Sequence, residues 1–507
     1  LIMRKQTKLV AVLSAAALLA IGASMTSFAA QTGWTEEDGT WVYLDKDGYR
    51  VTDAWKKSGN FWYYLDEDGY MATSKLIENG DESGNIYYVD ETGRMVANKW
   101  VELENENYYD NADDEEPETN WYYFQNSGKA YKTSGSTSWK TINGKKYAFD
   151  TDGHMLFGWV GTESNRFTGD DAYSNAEALY YCGDANDGAR VTNDWRYLYV
   201  GNSGPADSED DTYWFYFQNN GQKMRETVND EGKVTYTKKI NGKTYGFDAA
   251  GIMISEWHKS STEIASELLG YYSDSESGAR QKGWFKAVPS EKIDSTAHND
   301  DDAKWYYGNN DGTLVVKQLK TIGGKKYAFD EKGAMMSGLW AIEVGTDNKI
   351  IASEKIDKEG EVGDDYAKTV KAVGDNEKAE VYYFGSSDDG AQKTGNQNVE
   401  VDGTTYQFSF GKNGSEKGKG IKSTANTFYV YGKRIKASTD YRYQAADENG
   451  VLYTEKDAIG NTLINTSGTI MKSATSVYTD SEGRQYKVDS KGEVVNFKWK
   501  DDVNWTK

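Results

Sequence analysis

The sequence predicts an all-β fold: a solenoid of stacked β-hairpin repeats with polar loop insertions. Three observations carry this reading. Aromatic residues make up 14% of the chain, with 38 Tyr and 16 Trp, beside 52 Gly and 3 Pro. That mixture suits short strands and tight turns. Long aliphatic runs are absent after the first 30 residues, which does not suit helical bundles. The third observation is a short aromatic motif that returns many times, the signature of a repeat architecture.

The motif reads Trp41-Val-Tyr-Leu-Asp-Lys-Asp-Gly48, then Trp62-Tyr-Tyr-Leu-Asp-Glu-Asp-Gly69, Ile86-Tyr-Tyr-Val-Asp-Glu-Thr-Gly93 and Trp121-Tyr-Tyr-Phe-Gln-Asn-Ser-Gly128. In each, Gly falls seven residues after the first position. Two side chains face each way over four strand positions. Asp-x-Asp-Gly then closes a tight turn, with Gly supplying φ > 0 and Asp bonding nearby amides. A second strand is expected to follow, for example Gly69-Tyr-Met-Ala-Thr73. A closing Trp comes 14 residues after the motif starts, as Trp55 follows Trp41 and Trp100 follows Ile86. One such hairpin is marginal in water, so stability must come from the array.

A second flavour is Ile142-Asn-Gly-Lys-Lys-Tyr-Ala-Phe-Asp through Trp159, with relatives at Ile240–Trp257 and Ile322–Trp340. A third is Tyr180-Tyr-Cys-Gly-Asp-Ala-Asn-Asp-Gly-Ala-Arg190, with relatives at Tyr271–Arg280 and Tyr382–Gln392. Their alternation in one order indicates a larger duplicated unit. Polar insertions separate the hairpins at Glu102–Asn120, Gly201–Thr212, Ser290–Ala303 and Thr346–Ala379, and their composition predicts solvated loops. From about residue 400 the repeats decay, and tryptophan is scarce until Trp499 and Trp505.

Residues 1–30 read as a signal peptide, residues 31–400 as the repeat array, and residues 401–507 as degenerate repeats or a C-terminal cap. Arg4, Lys5 and Lys8 precede an apolar run from Leu9 to Ala23, and Ser27-Phe-Ala29 offers small residues for cleavage. The apolar run is short for a spanning helix, and no other segment could span a bilayer. The expectation is therefore a secreted protein of the cell wall or cell surface.

The net charge of −22 argues against nucleic acid as a partner, because phosphate binding needs basic patches. A single cysteine, Cys182, rules out an internal disulfide and reads as a packed hydrophobe. The three histidines, His154, His258 and His298, do not pair with Cys or one another at ligand spacing. The Asp-x-Asp-Gly carboxylates recur at turns, which a unique active site would not do. No cofactor, metal or catalytic residue is expected, so the chain reads as non-enzymatic.

The stretch from about residue 33 to 345 resembles the cell-wall-binding repeat family, which includes choline-binding modules and glucan-binding repeats. Gly59-Asn-Phe-Trp-Tyr-Tyr-Leu-Asp-Glu-Asp-Gly-Tyr-Met71 and Asn143–Met155 through Gly158-Trp159 carry the resemblance best. It implies a superhelical hairpin solenoid with ligand sites between successive hairpins. There aromatic side chains would cage a quaternary ammonium by cation–π attraction, or stack on sugar rings. Carried over by position, the opening residues are Trp41, Trp62, Trp121, Trp214 and Trp305, with Tyr43, Tyr64 and Tyr123 on the same face. The closing residues are Trp55, Trp100, Trp159, Trp257, Trp284 and Trp340. Spine packing competes with ligand contact at every one of them. The chain departs from the pattern at Ile86, Leu179 and Val381, which replace opening Trp, and at Ala54, Lys99 and Glu256, which replace the Gly of Gly-Trp. The ligand expected is a cell-wall polymer or glycan, with a choline-type cation as the narrower option. Two other readings stand beside it: an adhesin for host glycans, and a wall hydrolase whose catalytic part is the C-terminal hundred residues.

Overall fold

The computed structural model describes residues 32–506 apart from 79–83, 107, 109–115, 202–203, 205–210, 231–233, 258–269, 364 and 375–376. The expected signal peptide, most of the acidic run at 113–116, and His258 lie outside the described residues. The chain is all-β, built from many small antiparallel sheets, mostly two-stranded hairpins. It divides into two units, residues 1–237 with 247–253, and residues 238–246 with 254–507.

Each hairpin joins the closing strand of one motif to the opening strand of the next. Ala54–Ser58 pairs with Phe61–Leu65, setting Trp55 opposite Tyr64. The same register sets Trp34 opposite Tyr43, Trp100 opposite Tyr123, Trp195 opposite Tyr216 and Trp284 opposite Tyr307. This differs from the strand–turn–strand unit expected across Asp-x-Asp-Gly. There the structure has single bridges, Leu65 with Met71 and Val89 with Met95, instead of a second strand. The reason is the turn. Asp66 Oδ1 accepts the amides of Asp68 (3.1 Å) and Tyr70 (2.8 Å), and Gly69 takes φ = 80°. The next amide, that of Met71, then bonds the Trp41 carbonyl of the preceding hairpin at 2.7 Å.

That inter-hairpin tie repeats. In the first unit Met95 binds Trp62, Ala130 binds Ile86, Met155 binds Trp121 and Lys223 binds Leu179, amide to carbonyl, at 2.7–2.8 Å. In the second unit Met335 binds Trp305, Gln392 binds Lys326 and Gly420 binds Val381 at 2.7–2.8 Å. The turn glycine of the following hairpin packs on the same residue. A Cβ on Gly93 would stand 2.8 Å from Met71 Cε and 3.1 Å from the Ala72 carbonyl.

Two insertions are not the solvated loops expected. In Ser290–Ala303, Asp294 caps the helix α1 (Ser295–Asn299), and Ile293 and Ala297 pack into a core with Trp257, Phe285 and Tyr306. Thr346–Ala379 contains the helices α2 (Glu359–Val362) and α3 (Tyr366–Lys371). Val362 of α2 and Tyr366, Ala367 and Val370 of α3 join a core with Leu339, Val381, Phe408 and Phe410. Cys182 is fully buried, and burial pushes its thiol well up, so it packs as a hydrophobe. Beyond residue 400 the turn chemistry persists without paired tryptophans. Asp447, Asn465, Asp480 and Asp489 each bond amides two and four residues on.

Candidate functional site

The hairpin register sorts the tryptophans into two roles. A closing Trp lies in the spine. Trp100 meets Tyr123 of its own hairpin edge-on at 5.1 Å and Tyr147 of the following hairpin at 4.9 Å. Trp55 does the same with Tyr64 and Tyr87, both at 5.2 Å, and Trp284 with Tyr307 and Tyr327 at 5.2 and 4.8 Å. Edge-to-face pairs of this kind contribute about 0.5–1.5 kcal/mol each beyond area burial. An opening Trp lies across the strand pair from the spine, nearer solvent. Trp41, Trp121, Trp214 and Trp305 are half-buried, and Trp62 is 42% exposed.

In three hairpins the two roles combine into a crossed pair. Trp100 and Trp121 stand 6.4 Å apart at 79°, Trp195 and Trp214 6.2 Å at 88°, and Trp284 and Trp305 6.4 Å at 85°. The tie described above then brings a methionine to the same place. Met155 packs in one cluster with Trp100, Trp121 and Tyr123, and Met335 lines a cavity of about 280 Å³ with Trp305 and Trp340. At the Trp100 hairpin two perpendicular indoles, a tyrosine and a thioether make a polarizable, largely apolar corner, whereas the Trp305 cavity is also lined by Lys286, Asp302, Lys304, Lys355 and Asp388. Such a corner attracts a weakly hydrated cation or the face of a sugar ring. Among the described residues the indole N–H of Trp121 is buried without a hydrogen-bond partner.

The remaining sequence candidates separate. Tyr43 and Tyr123 are half-buried and support the Trp34 and Trp100 rings, while Tyr64 is 7% exposed and belongs to the core. Trp159 and Trp257 are 8% and 5% exposed, shut beneath neighbouring segments. Trp159 packs with Ala172, Tyr173 and Ala178, and the Trp257 indole donates to the Val288 carbonyl at 2.6 Å. At both positions the burial is that of spine packing, the reading that competed with ligand contact. Trp340 is half-buried, with its indole bonded to the Ser337 carbonyl at 2.7 Å. None of these three has an opening Trp in its own hairpin, where Leu179, Gly270 and Val381 stand instead.

Sequence reasoning missed Trp34 and Trp195. Trp195 follows the turn glycine Gly188 by seven residues, as Trp55 follows Gly48 and Trp100 follows Gly93. Counting from the turn instead of the opening residue would have found it. His154 is not simply a surface residue: it lies edge-on to Tyr122 and its Nδ1 is 3.0 Å from Asp150 Oδ2. Asp150, Asp152 and His154 hold their ligand atoms within 4.8 Å of one another. Asp150 Oδ1 already serves the amides of Asp152 and His154, so the cluster reads as turn chemistry. No helix among the described residues is long and apolar enough to cross a membrane.

With this geometry in place, two family models match parts of the N-terminal stretch. The choline-binding repeat matches residues 51–100, and the cell-wall-binding repeat matches residues 32–50, 119–130 and 137–155. Residues 32–100, 119–130 and 137–155 thus resemble the repeats of these two families. The chain is also similar to Glucosyltransferase-S of Streptococcus mutans serotype c, with 25% identity over 250 residues. That match spans 44% of this chain but 16% of the length of the relative. Among solved structures, CbpJ from Streptococcus pneumoniae TIGR4 is similar at 17% identity and a TM-score of 0.35, covering 76% of this chain and 99% of that one. The modular autolysin LytC from Streptococcus pneumoniae is similar at 17% identity and a TM-score of 0.34, covering 62% of this chain and 55% of that one. The repeats that match the family models include the Trp55, Trp62, Trp100 and Trp121 hairpins.

Proposed function

We propose that this protein is a secreted, non-catalytic surface protein that binds bacterial cell-wall polymer or glycan through its double-tryptophan repeat sites. The observation that carries the reading is the crossed Trp pair completed by Tyr and Met, best formed at Trp100, Trp121, Tyr147 and Met155. The matched repeats are named for choline binding and cell-wall binding, which supports the same ligand class. Stacking the hairpins as a solenoid would set several weak sites along one surface, and linked weak sites give avidity without new contacts. An export signal at residues 1–30, as the sequence reads there, would fit a protein held at the wall by these repeats. We read residues 401–507 as worn repeats, because the Asp-turn persists there while the paired tryptophans do not.

One hairpin favours sugar over cation. Trp195, Tyr197 and Tyr199 alternate along Asp194–Tyr199, and Trp214 lies opposite Tyr197 at 5.0 Å and 36°. Tyr197 and Tyr199 are 52% and 66% exposed, where the Trp100 strand carries Glu102 and Glu104. An uncharged aromatic strip of this kind suits stacking on pyranose faces. The test is retention of residues 31–507 on purified sacculi, with elution by choline in one arm and soluble glucan in another. Release by one competitor names the ligand class. Passage through every sacculus column refutes wall binding and leaves the host-glycan adhesin.

A further inference from the structure

The residue tied to the opening carbonyl varies in an informative way. In hairpins with both an opening and a closing Trp it is Met: Met71, Met95, Met155, Met253 and Met335. Among the hairpins with a closing Trp but no opening Trp, those of Trp139 and Trp159 carry Arg190 and Lys223 there, whereas that of Trp340 carries Gly420. Each cation lies on the ring that would otherwise face a ligand. Arg190 Cζ is 4.5 Å from the Trp139 ring centroid and 5.7 Å from that of Tyr180. Lys223 Nζ is 5.1 Å from the Trp159 centroid. Both fall within the roughly 6 Å reach of cation–π attraction.

Lys223 is the more completely enclosed. Its side chain is 2% exposed, and its amide ties to the Leu179 carbonyl at 2.7 Å like its methionine counterparts. Its ammonium also donates to the carbonyl of Tyr173, in the short helical turn Ala172–Ser174 that packs against Trp159. A ring face and a carbonyl are what an exogenous ammonium would meet at such a site.

We propose that Lys223 is a tethered ligand: its ammonium fills the aromatic site of the Trp159 hairpin, closing that repeat to outside cations and pinning Ala172–Ser174 over it. The proposal rests on the reading that the double-tryptophan sites accept cations. Where the tied residue is methionine the site stays exchangeable, and where it is Lys223 or Arg190 over a closing Trp the site is occupied.

The test uses full-length protein labelled with 5-fluorotryptophan, with Trp159 and Trp121 assigned by W159F and W121F. Lys223→Ala removes the atoms of n-propylammonium, so that cation is the probe and n-propanol the neutral reference. The Trp159 resonance is expected to shift saturably with n-propylammonium in K223A and to stay still in the wild type, while Trp121 responds in both. A Trp159 resonance that moves in the wild type, or stays still in K223A while Trp121 moves, overturns the tethered-ligand proposal alone. A silent Trp121 in both proteins refutes cation binding by the repeats and this proposal with it. Should K223A fail to fold, Lys223→Met carries the test, because methionine is the residue of the sister sites. Loss of the charge then displaces the Trp159 resonance from its wild-type position, and coincidence of the two positions overturns the proposal.

Discussion

Gly93→Ala tests whether stacking between hairpins, rather than turn conformation alone, holds the array together. Gly93 has φ = 77°, and a left-handed conformation costs a side-chain-bearing residue about 1–2 kcal/mol. Its Cβ would also stand 2.8 Å from Met71 Cε, 2.9 Å from Met71 Sδ and 3.1 Å from the Ala72 carbonyl oxygen. The thioether can swing aside, but the carbonyl is backbone, so overpacking adds about 1–3 kcal/mol. The expected total is about 2–5 kcal/mol. Gly144→Ala is the control: φ is 82°, and its Cβ would meet nothing within 4 Å, leaving only the conformational cost. A global midpoint is a poor readout, because repeat arrays unfold piecewise. Amide hydrogen exchange at Met71, whose N–H forms the tie to Trp41, reads the affected step directly. Its protection should fall roughly 30-fold to several thousand-fold in G93A. In G144A the Met71 amide should keep its protection, while amides of Lys140–Tyr147 lose roughly 5- to 30-fold. Equal, purely local losses in the two variants would refute the stacking argument.

Other expectations follow from the same contacts. Trp121→Ala should abolish retention at its site with little change in stability. Trp100→Ala should cost about 3–5 kcal/mol, because its ring joins two hairpins; urea unfolding and sacculus retention, measured together, separate the two roles. Burial lowers Lys223 to about 7, with Arg225 adding to the shift and Asp248 opposing it. The folded state therefore binds fewer protons than the unfolded state between about pH 7 and the ordinary lysine range, so stability should rise with pH across that window. Melting of K223M should lack that rise. Tyr366→Phe should cost about 1–3 kcal/mol by leaving the Tyr431 carbonyl without its 3.0 Å hydrogen bond, read as a lowered unfolding midpoint. Cys182 should resist maleimide in the native protein and react once denaturant is added; prompt native labelling would contradict its burial.

Much of the architecture was legible because the repeats report it many times over. The aromatic alternation at Trp62-Tyr-Tyr-Leu and the Asp-x-Asp-Gly turn give strand and turn correctly. The partner strand was misread because local spacing cannot say which neighbour an amide will choose. Met71 follows its own turn but is spent on the hairpin before it. The insertions were misread through composition. Glu359 to Lys371 is rich in charge, yet Val362 of α2 and Tyr366 and Val370 of α3 are buried in one core. For the site, period two placed Tyr43 and Tyr123 beside the right tryptophans, but depth was beyond reach. Trp159 and Trp257 look like Trp100 in sequence and differ in what lies over them.

The tie between hairpins has an evolutionary consequence. It joins an amide to the carbonyl of the opening residue, two groups that every residue type but proline supplies. Ile86, Leu179 and Val381 offer that carbonyl as well as Trp62 does. Cohesion and recognition thus reside on different atoms of one residue, backbone for the first and indole for the second. A lineage can add or erase a binding position by a single codon change without unzipping the array. On the proposed function, grip on a changing wall polymer can then drift repeat by repeat while the scaffold stays the same.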